Sequence, residues 1–229
     1  MSKTRIIECV RTLDFAATKA LLDERPSLLG VKDAGGRNLL NLACSASCSD
    51  LGVPQGSSKR LVRLLLDRGI DVESTVVMDD QPCNSVWFAV ARGRNATLVE
   101  FLIERGATAR GLFAAGWHED LAILKALVNA GASVDEVAED ETPFLHCWKT
   151  GRFKAAKFLL RSGANVNFQD SKGRTALHYG LKKGLEPSLL RFLVRSGASP
   201  DIADCKGVSA RQQASRKRDK TLLAALNAD

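Results

Sequence analysis

Pairs of apolar residues recur along the chain, and each pair is followed by two polar residues and a glycine. Upstream of these pairs the apolar residues are three or four positions apart, as Leu61, Leu64 and Leu65 are, which indicates one side of a helix. A glycine at that point can adopt the left-handed conformation that ends an α-helix. The pattern therefore predicts a series of short amphipathic helices. The glycines that end them are Gly69, Gly106, Gly131, Gly163 and Gly197.

A second signal lies between these glycines, where a residue that can cap a helix precedes a run of apolar or small residues. Each such cap should stabilise its helix by about 1 kcal/mol. Aspartate often stands five positions before the cap and glycine two positions before it, a spacing typical of a tight turn. The predicted caps are Asn38, Asn84, Thr142, Thr175 and Ser209, and the aspartates are Asp33, Asp79, Asp170 and Asp204.

Each unit thus contains a turn, a capped short helix, a loop and a second helix, with a period of about 33 residues. The segments DSKGRTALHYGLKKG (170–184) and ETPFLHCWKTGRFKAAKFLLRSGANVNF (141–168) show this order best, and they resemble the ankyrin repeat. The resemblance implies an all-α solenoid of about seven helix-turn-helix units with short finger turns, forming one domain over residues 1–229. The predicted units are residues 4–30 (a cap), 33–73, 79–109, 110–136, 137–168, 169–202 and 203–229 (a cap).

The sequence departs from the repeat in three places. The unit that ends at Gly131 is about seven residues short, which leaves no room for a full finger between Arg105 and Phe113. Residues 47–58 are an insertion rich in Ser, Gly and Pro, which predicts an exposed loop. Residues 71–86, with Pro82 where the turn glycine belongs, fit either an extended finger or an irregular loop. The buried histidine of the family occurs as His178, and the resemblance implies that it binds Thr175 and the backbone of a neighbouring finger.

Catalytic and metal-binding constellations are missing from the pattern. The histidines His118, His146 and His178 lie in different units, and His146 and Cys147 point to different sides of one helix. No glycine-rich phosphate loop is present. We therefore expect a protein that is not an enzyme and that has no cofactor and no metal ion. The six cysteines contain no C-x-x-C pair, so we expect reduced, mostly structural thiols.

The net charge is +7, which favours acidic partners. No apolar stretch approaches the roughly 20 residues of a membrane helix, and the N-terminus has no apolar signal segment. We expect a monomeric, cytoplasmic protein without a membrane span; export by an unconventional route stays open.

A stack of such units offers an open concave face, which suits a large partner better than a small substrate. The resemblance implies protein binding by an adaptor, inhibitor or effector-like protein, with contacts on the finger tips and late in the first helix of each unit. Two interpretations of Trp117 stay open, an aromatic hot spot for the partner or a filler of the space that the missing finger leaves. The predicted contact residues are Arg37, Arg92, Trp117, Lys149, Lys172, Arg174, Lys182, Lys183, Arg216 and Lys217.

The basic C-terminal half supports a second hypothesis, in which the partner is a nucleic acid or another polyanion. The run SRKRDK (215–220) could contact phosphates. The chain has few aromatic residues on which single-stranded bases could stack. We therefore expect a protein with an acidic surface as the partner, and nucleic acid as the alternative.

Overall fold

The computed structural model describes residues 2–78, 81–217 and 219–227. Three predicted features lie partly outside these residues: Asp79, which begins the third predicted unit, Arg218 of the basic run, and positions 228 and 229 at the end of the last unit. In the described residues the chain forms fourteen α-helices and one two-stranded hairpin. The helices follow one another as seven pairs, so the all-α repeat fold is confirmed.

The chain divides into two compact units. The first contains residues 1–115 and 122–132, and the second contains residues 116–121 and 133–229. The prediction of a single domain stays a prediction. The helices and strands before residue 133 are α1 (Ser2–Arg11), α2 (Phe15–Glu24), a 3-10 turn (Pro26–Gly30), α3 (Leu39–Ser45), α4 (Gly56–Asp67), β1 (Val76–Met78), β2 (Gln81–Cys83), α5 (Ser85–Phe88), a π-helical turn (Ala89–Gly93), α6 (Ala96–Glu104), α7 (Leu112–Trp117) and α8 (Leu121–Asn129).

The second unit continues with three helix pairs: α9 (Pro143–Thr150) and α10 (Phe153–Arg161), α11 (Ala176–Lys183) and α12 (Pro187–Arg195), and α13 (Ala210–Arg216) and α14 (Lys220–Leu226). Helix α11 contacts α9 on one side and α13 on the other, while α12 contacts α14. We call α9, α11 and α13 the first-helix layer of this unit, and α10, α12 and α14 the second-helix layer. None of the described helices is long and apolar enough to cross a bilayer.

The capping residues predicted from the pattern begin their helices as expected. Asn38 accepts from the backbone N–H of Asn41, Asn84 from that of Trp87, and Thr142 from that of Leu145. Thr175 and Ser209 lie in extended backbone directly before α11 and α13. All five glycines predicted to end helices have positive φ angles, between 85° and 97°. Local chemistry therefore fixes where the first helix of a pair begins and where the second helix ends.

Aspartate turns close the fingers as the spacing predicts. The Oδ1 atom of Asp170 accepts from the backbone N–H groups of Lys172 and Arg174, at 3.0 and 2.9 Å. Asp204 repeats this pattern with Lys206 and Val208, and Asp33 repeats it with Gly35 and Arg37. The pKa of the Asp204 carboxyl is lowered, mainly by the bond from Val208, because hydrogen bonds to the charged form stabilise it.

The structure decides between the two expectations for residues 71–86 and changes the prediction for the insertion. An extended finger forms, with β1 and β2 antiparallel and Val76 opposite Cys83. The expected exposed loop at 47–58 is exposed only in part, because its last three residues begin α4 and both Cys48 and Ser58 are buried. The cause is Asn95, whose side-chain amide donates to the Ser58 hydroxyl at 3.0 Å and to the Gln55 carbonyl at 3.1 Å.

His178 has the role that the resemblance implies. Its Nδ1 accepts from the backbone N–H of Thr175 at 3.1 Å, so the ring proton is on Nε2, which lies 3.0 Å from the Val208 carbonyl. The side chain is 2% exposed. One imidazole therefore caps its own helix and binds the next finger, 30 residues further along the chain.

Replacing His178 with alanine should lower the free energy of unfolding by about 1–3 kcal/mol, because the buried backbone N–H of Thr175 loses its acceptor and the Val208 carbonyl loses one of its two donors. His178→Gln should cost less. Gln212, at the equivalent position of the last unit, accepts from its own cap residue at 3.0 Å, so glutamine can keep one of the two bonds. Urea unfolding followed by circular dichroism measures both variants. Equal losses would mean that the bond to Thr175 contributes nothing.

Candidate functional site

Three lysines occupy the same place in successive repeats of the second unit. Lys149, Lys183 and Lys217 are 34 residues apart, at or just after the ends of α9, α11 and α13. The Lys183 ammonium donates to the Lys149 carbonyl, and the Lys217 ammonium donates to the Leu181 carbonyl at 2.6 Å. Carbonyl groups at a helix end lack partners within the helix and carry partial negative charge. Lys183 and Lys217 therefore each complete the end of the preceding first-layer helix.

Lys149 belongs to a small network of charged and aromatic side chains. The Glu141 carboxylate forms an ion pair with Lys149, and its Oε2 atom is 3.0 Å from Nδ1 of His146. The Lys149 ammonium is also 4.6 Å from the centre of the Tyr179 ring, and the Tyr179 hydroxyl donates to Asp170. Burial works to lower the pKa of Lys149, but the bond to Glu141 and its charge outweigh burial and raise it. Lys149 is therefore held as a cation, with its charge partly neutralised inside the unit.

Trp117 lies beside this network with a large part of its surface free. Its ring is 5.8 Å from the His146 ring, and the Arg152 guanidinium lies 5.1 Å from its centre. The side chain remains 47% exposed. Gly116 allows this placement, because a Cβ atom at that position would lie only 2.5 Å from Sγ of Cys147. An indole that is anchored on one side and exposed on the other is a suitable contact for a partner.

The structure brings eight of the ten predicted contact residues into the second unit. Lys182, Lys183, Arg216 and Lys217 are exposed at the ends of α11 and α13. Lys172 and Arg174 lie on the finger that Asp170 closes, the first exposed and the second half-buried. Trp117 and Lys149 complete the set.

The remaining two predicted residues lie in the first unit. Arg37 is half-buried, and its guanidinium binds Asp33 at 2.7 Å, which leaves it less available to a partner. Arg92 is exposed in the π-helical turn.

Comparisons with known proteins agree with this architecture. A family model described as ankyrin repeats, in three copies, matches residues 112–222. The ankyrin repeat domain of Bcl-3, a member of the IkappaB protein family, superposes with a TM-score of 0.76 at 23% identity and covers 96% of each chain. The chain contains ankyrin repeats.

Further ankyrin repeat structures have the same fold. The human ASB11 ankyrin repeat domain gives a TM-score of 0.75 at 20% identity over 98% of this chain and 97% of that one. A domain from Acinetobacter baumannii gives 0.65 at 22% identity, over 82% of this chain and 95% of that one. At such identities the likeness shows the fold alone.

A curated relative matches a shorter stretch. It is the Arf-GAP with coiled-coil, ANK repeat and PH domain-containing protein 2 of Gallus gallus, 34% identical over 76 residues. This stretch is 32% of the present chain and 10% of the relative.

Sequence reasoning missed three members of the ankyrin repeat site, Arg152, His146 and Tyr179. Arg152 follows the glycine that ends α9, and nothing in the repeat pattern distinguishes it from a loop residue. In the structure its guanidinium lies against Trp117, while its buried Nε atom has no hydrogen-bond partner among the described residues. His146 and Tyr179 are half-buried residues of α9 and α11, and only the fold brings them to Glu141 and Lys149.

The cysteine thiol at this ankyrin repeat site is poorly suited to act as a nucleophile. Cys147, next to His146 in sequence, is fully buried, and burial, with a smaller contribution from Glu119, raises the pKa of its thiol to about 12. Its nucleophilic thiolate form is therefore scarce at neutral pH. In the part of the chain that the structure describes, no three His, Cys, Asp or Glu side chains are grouped as ligands for a metal ion.

The close approach of Gly116 to Cys147 can be tested with a double-mutant cycle. Gly116→Ala alone should destabilise the protein by about 1–3 kcal/mol, because the new methyl group overlaps Sγ. In a Cys147→Ala background the same change should cost little, since the sulfur is gone and alanine favours helix over glycine. Urea unfolding of the four proteins gives the coupling energy. Strictly additive effects would contradict the contact.

Proposed function

We propose that this chain binds a protein partner with an acidic surface, using the finger tips and first-helix ends of its second unit. Ankyrin repeat domains are generally protein–protein interaction modules and are known as non-enzymatic. The observation that carries the proposal is the exposed indole of Trp117, held between His146 and Arg152 beside a row of lysines. Trp and Arg residues dominate many interface energies, so Trp117 is the proposed anchor.

The surrounding cations have different parts in this proposal. Lys182 and Arg216 are exposed and form no ion pair with a described residue, so they attract an acidic partner over distance. Lys183 and Lys217 keep their charge while donating to helix-end carbonyls. Lys172 and Arg174 add charge from the finger, and Arg92 is a further proposed contact in the first unit. Arg37 and Lys149 contribute less, because carboxylates already bind them.

In this proposal the chain acts by occupying a surface of its partner. We propose an adaptor, inhibitor or effector-like binder that acts as a monomer in the cytoplasm. A polyanion is the alternative partner for the basic residues of the second unit.

Affinity capture with the tagged chain, followed by mass spectrometry, identifies the partner. Binding to the identified partner should then weaken about 30-fold in Trp117→Ala, which corresponds to about 2 kcal/mol at a hot spot. The variant Lys182→Glu, Lys183→Glu should lower the association rate and reduce its dependence on salt. Isothermal titration and stopped-flow fluorescence measure these effects.

A matched control is Lys3→Glu with Arg5→Glu, which makes the same change in net charge on exposed residues of α1. The control should bind like the parent protein. Unchanged affinity in both Trp117→Ala and the Lys182, Lys183 variant would remove this surface from the proposal.

A further inference from the structure

A second basic surface lies on helices that the proposed protein-binding site does not use. Helix α10 carries Lys154, Lys157 and Arg161 and helix α12 carries Arg191 and Arg195, and neither helix contains an aspartate or glutamate. Two of these positions repeat, since Lys157 and Arg191 are 34 residues apart, as are Arg161 and Arg195. We define the second-layer patch as these four repeated residues.

The four cations lie close together on adjacent helices. The ammonium of Lys157 is 5.2 Å from the centre of the Phe192 ring, which places α10 and α12 side by side. Residues four apart on a helix lie on the same side and about 6 Å apart along the axis. The patch is therefore a grid of two cations on each helix.

These charges have no ion-pair partner in the described part of the chain. None of the four residues forms an ion pair with any residue that the structure describes. At the beginning of α10, Glu119 accepts from the backbone N–H of Lys154 at 2.8 Å. Glu186 directly precedes α12. Asp135 lies beyond the other end of α10, where it accepts from the backbone N–H of Asn165 at 2.9 Å. None of these three carboxylates forms an ion pair with a patch residue.

The patch offers charge without an apolar anchor. The apolar sides of the two helices are buried at Ala155, Ala156, Leu159, Leu190 and Leu193, and Phe158, Leu160, Phe192 and Val194 are half-buried. The large hydrophobic residues exposed in the described chain, Leu51, Val77, Trp117, Leu121 and Val137, all lie outside α10 and α12. A protein interface usually centres on a desolvated apolar hot spot, and an amphipathic helix at a membrane inserts apolar side chains. No large hydrophobic side chain of α10 or α12 is fully exposed, so both kinds of partner fit this patch less well than a ligand bound through charge.

We propose that the second-layer patch binds the phosphate backbone of double-stranded nucleic acid without reading its sequence. Three of the four residues are arginines, whose planar guanidinium groups match phosphate oxygens with two hydrogen bonds each. Single strands are a poorer fit, because no exposed aromatic ring accompanies the cations on these helices. Binding of this kind is driven by the release of counterions and weakens steeply as salt is added.

The test is a fluorescence-anisotropy titration of the full chain with a labelled 20-base-pair duplex at several salt concentrations between about 50 and 200 mM. Each phosphate contact contributes about −0.9 to the slope of log K against log salt concentration. The variant Lys157→Gln, Arg161→Gln, Arg191→Gln, Arg195→Gln should make this slope less negative by about 3.6 and should bind at least tenfold more weakly at about 50 mM salt. Two duplexes of unrelated sequence should bind equally.

The control variant, Lys3→Gln, Arg5→Gln, Lys32→Gln, Lys125→Gln, removes the same number of exposed charges from the first unit. Its slope and affinity should remain those of the parent. Thermal unfolding of both variants separates binding from a structural role, because Arg161 and Arg195 also lie in the last turns of their helices, where cations stabilise the helix dipole.

Three results would overturn the proposal: no binding of the duplex by the parent chain at about 50 mM salt, equal loss of slope in both variants, or unchanged binding in the patch variant. Vesicles of phosphatidylcholine with phosphatidylserine and a polyglutamate peptide are the competing ligands. Patch-dependent binding of either one, with no binding of the duplex, would also reject it in favour of that class of partner.

Discussion

The structure depends on hydrogen bonds between residues about one repeat apart in sequence. A helix pair of this size buries too little apolar surface to be stable alone, so each repeat must complete its neighbour. In the second unit the contact is polar as well as apolar. Asp140 accepts from the backbone N–H of Ser171 at 2.8 Å, Cys205 donates its N–H to the Lys172 carbonyl at 3.0 Å, and Asn167 binds both Gly197 and Ser199. These bonds fix the register of successive fingers.

The same register positions the candidate site. Because the repeats advance by 34 residues, a lysine late in one first helix reaches the end of the previous one, as Lys183 and Lys217 do. Tyr179 of the next repeat meets Lys149 for the same reason, whereas Glu141 reaches Lys149 from the finger of the same repeat. The site is therefore assembled from residues that have no pattern among themselves in sequence, and its geometry is a consequence of the stacking.

The predictable part of the molecule is the part that repeats. Capping residues, helix-ending glycines and aspartate turns act within a few positions of the chain, so each of them could be identified locally, and the fold followed. The placement of Arg152 on Trp117 depends on Gly116 approaching Cys147, a contact between two helices about 30 residues apart that no local rule predicts. Burial of Cys48 and Ser58 likewise depends on the side-chain amide of Asn95, which is distant in sequence. The polar composition of the insertion predicts an exposed loop, because it carries no information about this distant bond.

The basic residues of the second unit fall into two groups, those that the fold requires and those that it does not. Stacking fixes the backbone and the apolar sides of α9 to α14, but it places no demand on the sign of the charges that remain in solvent. Lys183 and Lys217 have a structural reason to be cations, since they meet helix-end carbonyls, and Arg211 has one in Asp201, at 2.7 Å. Lys182 on the first-helix layer, and Lys157 and Arg191 on the second, have no carboxylate partner among the described residues. Basic side chains that the framework does not require, repeated at equivalent positions, are best explained by what the surface binds.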